Sequence, residues 1–217
     1  MRRKGGLSPE SNAFQGRVDY NLSPDPAQSR RLEGHGRRWA DRTSYKAEWS
    51  NRSKLAALLV PDDVSVLEIG VGTGVFRDLV SGRTTYLGAD LYPLHPETIA
   101  LDLDRDFLPE RHFDYAVLLG VFGYLCYPDA AAKKLCHAAD CILVSYCCIQ
   151  DGAGSLAVAE CRKRRGWVNS FDQAQFVRLF AQHGHELVLS KTLVSTDELK
   201  ECLMEFRSMA PAVDRPR

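Results

Sequence analysis

Val64-Ser65-Val66-Leu67-Glu68-Ile69-Gly70-Val71-Gly72-Thr73-Gly74-Val75-Phe76 is the stretch whose reading decides the fold. It begins as an apolar, β-branched run, the composition of a strand buried on both faces. It then places glycine at every second position, Gly70, Gly72 and Gly74. A residue without Cβ suits a sharp turn or the close approach of a ligand to the backbone. Val75 to Val80 resumes with apolar residues at helical spacing. Strand, glycine turn and helix together make the first half of a nucleotide-binding βα unit. Glu68 puts a carboxylate at the strand end beside a helix N-terminus, where it can hold a cationic ligand or orient the loop.

Phosphate-binding loops have other needs. The dinucleotide fingerprint G-x-G-x-x-G would require glycine where Val75 stands, and a P-loop requires a lysine that this loop lacks. Glu68 also disfavours a phosphate. An ordinary tight turn of an α/β protein is the plain alternative. Glu68-x-Gly70-x-Gly72-x-Gly74 resembles motif I of class I S-adenosylmethionine-dependent methyltransferases of the small-molecule type. The resemblance covers about residues 50–208, and the glycine loop is its specific part.

A chain of 217 residues with 45% hydrophobic content can bury one core. Its formal net charge of zero gives no support for binding nucleic acid or an anionic membrane. No apolar run approaches the roughly 18–20 residues that span a bilayer, and no apolar signal core follows the basic N-terminus. The seven cysteines lack C-x-x-C spacing. Reduced thiols in a cytoplasmic protein, with no metal site, are the expectation.

Three segments are expected: a flexible N-terminal arm over 1–35, a helical lid segment over 36–60, and the cofactor-binding domain over 61–210. Tyr45 and Trp49 are candidates for the lid, with simple packing onto the core as the alternative. Asn51 to Val60 reads as an amphipathic helix with Leu55, Ala56, Leu58 and Leu59 inward. Thr84 to Ala89 reads as a second strand ending at Asp90. A carboxylate there can accept from both hydroxyls of a ribose, and it follows Glu68 by 22 residues, near the expected spacing of about 20. A short third strand is expected over Thr98 to Leu103. Tyr115 to Gly120 and Cys141 to Cys148 read as two more buried strands, with a helix between them from Pro128 to Ala139. Asp114 is expected to order a strand entrance. Leu156 to Arg165 reads as a short helix above the strand ends. Its basic run Arg162-Lys163-Arg164-Arg165 is either a solvated face or a binding site for an anionic acceptor. Ser170 and Gln173 fit a capping box opening a helix from Ala174 to His183, closed by Gly184. Two final strands follow, His185 to Val194 and Glu201 to Ser208.

The expected architecture is a Rossmann-like, seven-stranded, mostly parallel sheet with helices on both faces and an antiparallel last pair. By resemblance the cofactor is S-adenosyl-L-methionine, held by Glu68, Gly70, Gly72, Gly74, Asp90, Leu91, Asp102, Leu103 and Leu119. The partner is a small-molecule acceptor, methylated on oxygen or nitrogen. Relatives often carry Glu-His where this chain has Gly123 and Tyr124. Its departure leaves Tyr124, Tyr146, His95 and His183 as candidate bases. Two rivals stay open: a binding protein for the same cofactor that has lost transfer activity, and an NAD(P)-dependent oxidoreductase.

Overall fold

The computed structural model describes residue 39 and residues 49–150, 156–196 and 199–210. The arm over 1–35, residues 36–38 and 40–48 of the lid segment with Tyr45 among them, and the loop at 151–155 lie outside the described residues. Seven strands form one sheet: β1 (Ser65–Ile69), β2 (Thr85–Asp90), β3 (Ile99–Ala100), β4 (Phe113–Leu119), β5 (Ala139–Ile149), β6 (His185–Ser195) and β7 (Leu199–Ser208). Their order is β3-β2-β1-β4-β5-β7-β6. The first five run parallel, and β7 lies antiparallel to both β5 and β6. The expected architecture is the one observed.

Both faces of the sheet are covered, which is why its central strands read as unbroken apolar runs. Ile142, Val144, Tyr146 and Cys148 of β5 join the core beneath α3 (Pro128–Ala138) and α5 (Gln173–Ala181). The alternate residue Leu143 joins the opposite core, with Ala56 of α1 (Trp49–Leu59) and Phe76 of α2 (Val75–Val80). Helix α4 (Leu156–Arg165) follows β5. All seven cysteines are free.

Three expectations need correction. The first helix starts at Trp49 and buries Ala56 and Ala57, while Leu58 is 82% exposed. Leu58 lies about 200° around the helix from Ala56, so both cannot face the sheet. The small alanines let α1 approach the sheet and α2 closely. The third strand shrinks to Ile99–Ala100. Asp102 accepts from the Asp104 amide and Asp106 accepts from the Asp102 amide, and these side-chain bonds turn the chain out of the ladder. The capping box of α5 is built by Asp172 and Gln175, so the helix runs from Gln173 to Ala181. Gly184, at φ +82°, follows it as expected.

Asp114 locks the entrance of β4 to that of β1. Its Oδ2 accepts from both the amide and the hydroxyl of Ser65, each at 2.7 Å, and the Asp114 amide donates to the Ser65 hydroxyl. Hydrogen bonds to a charged group contribute about 1.5–3 kcal/mol each when partly buried. Asp114→Ala should therefore lower unfolding stability by about 2–4 kcal/mol in urea titrations, leaving the distant glycine loop intact. An unchanged midpoint would mean that water replaces these bonds without loss.

Candidate functional site

The strand order reverses between β1 and β4, and a cavity of about 1720 Å³ opens at their carboxyl ends. Single small-molecule pockets usually occupy about 300–1,000 Å³. This one has room for two ligands side by side.

The glycine loop forms one wall. Gly70, Gly72 and Gly74 have φ of +88°, +54° and +83°, a region that other residues rarely occupy. At Gly70 an added Cβ would lie 2.4 Å from Val121 Cγ2, so the loop needs this glycine for space as well as for conformation. The Gly70 amide donates to Ala89 O at 2.8 Å, tying the loop to the end of β2. Asp90 completes the tie. Its Oδ2 accepts from the Gly72 amide at 2.9 Å and its Oδ1 from the Tyr92 amide at 3.0 Å. Burial raises the Asp90 pKa, and these amide bonds oppose the shift.

Glu68 is buried on the β1 face that points toward α1 and α2, and its hydrogen-bond partner is the Tyr86 hydroxyl. Strand register pairs Glu68 with Gly88, and a Cβ at Gly88 would meet the Tyr86 oxygen at 2.8 Å. The missing side chain at position 88 is the gap through which Tyr86 reaches the carboxyl. Burial, with the nearby Asp90 charge adding to it, pushes the Glu68 pKa from 4.5 to about 8. Burial pushes the Tyr86 phenol up as well, beyond its ordinary range.

The other sequence candidates separate. Leu91, Asp102, Leu103 and Leu119 line the cavity with Gly70 and Gly72, whereas Gly74 lies off it, against Arg77 and His95. Asp104, two residues on from Asp102, accepts from the Cys126 and Tyr127 amides and so fixes the segment after β4. Tyr124 lines the cavity and meets Trp39 edge to face at 5.3 Å. The Tyr146 hydroxyl is buried within a network: it donates to Asn169 Oδ1 at 2.8 Å and accepts from Arg162 and from the Phe171 amide. His95 does not line the cavity; it sits half-buried near Gly74 and Arg77. His183 also lies away from it, paired with Asp129 of α3 at 3.3 Å.

Arg162 corrects the solvated reading of the basic run. It is only 3% exposed, and its guanidinium donates to Cys147 O, Asn169 O and the Tyr146 hydroxyl. Asn169 in turn donates to Phe122 O and Leu125 O, and the Val168 amide donates to Gly123 O. These bonds dock the segment after α4 onto the 3-10 turn Phe122–Tyr124 that follows β4. A Cβ at Gly123 would lie 2.8 Å from Trp167 Cδ1. Glycine stands at 123 because the indole of Trp167 occupies the space.

Sequence reasoning missed Arg52, Ser145 and Glu201. Arg52 of α1 donates to Glu201 Oε1 at 2.8 Å and to Leu119 O at 3.2 Å. Ser145 is 1% exposed, lines the cavity, and its Oγ has no hydrogen-bond partner among the described residues. Nothing in the local sequence marks these three, because β7 returns antiparallel and only the folded sheet brings Glu201 beside β5. Among the described residues no group of His, Cys, Asp and Glu has the makings of a metal site, and no helix is long and apolar enough to cross a membrane.

The folded protein keeps a proton on Glu68 between pH 4.5 and about 8, where the unfolded chain releases it. Its contribution is complete below pH 4.5 and is lost as pH rises to about 8. The slope approaches about 1.4 kcal/mol per pH unit. Urea unfolding at pH 5, 6, 7 and 8 should show Glu68→Gln losing less stability with rising pH than the parent. Identical pH profiles for the two proteins would place Glu68 in an ordinary aqueous environment.

No protein-family model matches the chain, and no curated protein sequence does. Solved structures do. The N-methyltransferase NodS from Bradyrhizobium japonicum WM9, in complex with S-adenosyl-L-homocysteine, superposes with a TM-score of 0.59 at 15% identity, over 83% of this chain and 99% of that one. Magnesium protoporphyrin IX methyltransferase from Synechocystis PCC 6803, with bound S-adenosylhomocysteine, gives 0.53 at 15% identity over 87% of this chain and 90% of that one. The (4+2)-cyclase SpnF gives 0.53 at 11% identity over 73% and 80%. Sheet order, the antiparallel β7 and these superpositions agree: the chain has the fold of the class I S-adenosylmethionine-dependent methyltransferases.

Proposed function

We propose that the protein is an S-adenosylmethionine-dependent methyltransferase acting on a small-molecule acceptor, by O- or N-methylation. The observation that supports this most is one juxtaposition. Glu68, Gly70 and Gly72 of the loop, and Asp90 meet at adjoining strand ends and face one cavity large enough for two ligands. The cofactor suits these residues. Glu68 is a buried carboxyl whose pKa is raised to about 8, a group that a neighbouring cation would stabilise in its charged form. Gly72 keeps the loop backbone free of a side chain at the cavity wall, while Gly70 makes room for Val121. Asp90 has accepting capacity beyond its two amide bonds for ribose hydroxyls. We assign Asp102, Leu103 and Leu91 to the adenine ring, since they line the same cavity, together with Leu119.

Bound S-adenosylmethionine would supply an electrophilic methyl group on a sulfonium. The chain's own task is then to align the acceptor and exclude water. Tyr124 and Trp167 wall the cavity beyond Leu119, and α1 with Trp39 covers it as the lid segment. Glu201 is the carboxylate on the acceptor side, held by Arg52, and is the candidate to take a proton from the acceptor. The Tyr146 hydroxyl is committed to Arg162 and Asn169, which leaves it a positioning role.

A second reading keeps the cofactor site without methyl transfer. It is favoured by SpnF, whose name gives a cyclase on this fold, and by the missing Glu-His pair at Gly123 and Tyr124. A nicotinamide dinucleotide fits poorly, because its pyrophosphate would face Asp90, Asp102 and Asp104.

Calorimetry tests the donor. S-adenosylhomocysteine should bind at micromolar strength and NADH should not; the reverse order would sink the reading. Asp90→Ala should weaken binding by about a hundredfold or more, the loss of two charge-assisted hydrogen bonds of about 1.5–3 kcal/mol each. Asp90→Asn should fall between. Because Asp90 also holds the Gly72 amide, the cycle needs an analogue lacking both ribose hydroxyls. Against it Asp90→Ala should cost little; an equal loss with both ligands would reduce Asp90 to a loop anchor. Release of S-adenosylhomocysteine on turnover with an acceptor panel separates the enzyme from the non-transferring reading.

A further inference from the structure

The cavity is electrically divided. Its β3-β2-β1 side carries Glu68, Asp90, Asp102 and Asp104, with Arg105 paired to Asp102 at 3.6 Å; Lys54 of α1 also lines the cavity. Its β5-β7-β6 side carries Arg162, Arg164, Arg165 and Lys191, and the one acid there, Glu201, pairs with Arg52 at 2.8 Å. Arg164 and Lys191 are exposed and form no ion pair among the described residues. Arg162 has given its donors to Cys147 O, Asn169 O and Tyr146, so it contributes field more than hydrogen bonds.

The same half is aromatic. The chain has three tryptophans, Trp39, Trp49 and Trp167, and all of them line this cavity. Trp39 lies 6.0 Å from Trp49 and 5.3 Å from Tyr124, in tilted and edge-to-face contacts. An aromatic ligand extends such an array by the same contacts. Aromatic walls can equally cage a cation. Here the protein's own cations already use the rings: Arg162 and Arg165 sit 4.8 and 5.0 Å from Trp167, and Arg52 lies 5.8 Å from Trp49. A second cation would meet their repulsion. Deeper in the cavity the orphaned Ser145 hydroxyl offers a donor to a polar atom of the ligand.

From this arrangement we propose that the β5-β7-β6 half of the cavity binds a planar aromatic molecule carrying an anionic group, its ring among Trp49, Tyr124 and Trp167 and its anion toward Arg164 and Lys191. This names the acceptor class and rests on the methyltransferase reading. It also gives the basic run of α4 its use.

The tryptophans supply the readout. Full-length protein is titrated with 2-naphthoate and 4-hydroxybenzoate, each beside its neutral carboxamide, and tryptophan fluorescence is followed at low and high salt. Each acid should quench at least tenfold more tightly than its amide, and the preference should shrink with salt. The double variant Arg164→Gln/Lys191→Gln should lose most of the preference while binding S-adenosylhomocysteine as the parent does, which also shows that it folds. Equal affinity for acid and amide, no saturable quenching by either acid, or tighter quenching by the cation N-methylquinolinium would overturn the proposal. So would an unchanged preference in the double variant. S-adenosylhomocysteine affinity of the parent reports separately on the cofactor half. Acid preference without cofactor binding would uphold this site and remove the methyltransferase reading. Cofactor binding without acid preference would do the opposite.

Discussion

Asp90 Oδ2 holds the Gly72 amide at 2.9 Å, and the glycine-loop half of the cavity depends on that bond. A loop with positive φ at Gly70, Gly72 and Gly74 has no regular ladder to satisfy its backbone donors. The carboxylate that satisfies one of them is itself placed by the parallel pairing of β2 with β1. Its second oxygen holds the Tyr92 amide, so one side chain sets the loops after two strands. The pairing, the turn and the acid are therefore a single construction. Loss of any one leaves a buried donor or a buried charge without its partner, which costs more than the bond contributes.

The opposite half is built on a different hub. Arg162 is buried, and a buried guanidinium is tolerable only when its donors are met and its charge is compensated by dipoles or carboxylates. Here two backbone carbonyls and the Tyr146 hydroxyl do that work, and Asn169 passes the constraint on to the 3-10 turn after β4. The result fixes Trp167 against Gly123. One half of the cavity is thus held by an acid reaching backbone amides, the other by a base reaching backbone carbonyls.

The strands, the glycine loop and Asp90 were legible in the sequence because local composition decides them. β1, β4 and β5 are apolar on both faces, and three spaced glycines admit few alternatives. Asp114 was legible too, as an acid at a strand entrance. What was not legible came from distant pairings. Leu58 looked inward because the pattern of Leu55, Leu58 and Leu59 is helical, yet alanines took the sheet face. Glu201 and Arg52 lie 149 residues apart and meet only across the folded sheet. Tyr86 showed no signal until register set Gly88 opposite Glu68. Arg162 hid in a run of four bases whose other members are exposed.

The Tyr86–Glu68 pair, finally, bears on how heat is exchanged when a positive ligand enters. At neutral pH Glu68 carries a proton, since burial raises its pKa to about 8. A cation lodged beside that carboxyl favours the ionised form and drives the proton into solvent. The observed enthalpy of association then contains the ionisation enthalpy of whatever buffer takes that proton. Phosphate and Tris would report different heats for the same event, and the difference between them counts the protons exchanged. A neutral ligand confined to the aromatic half would leave that count at zero.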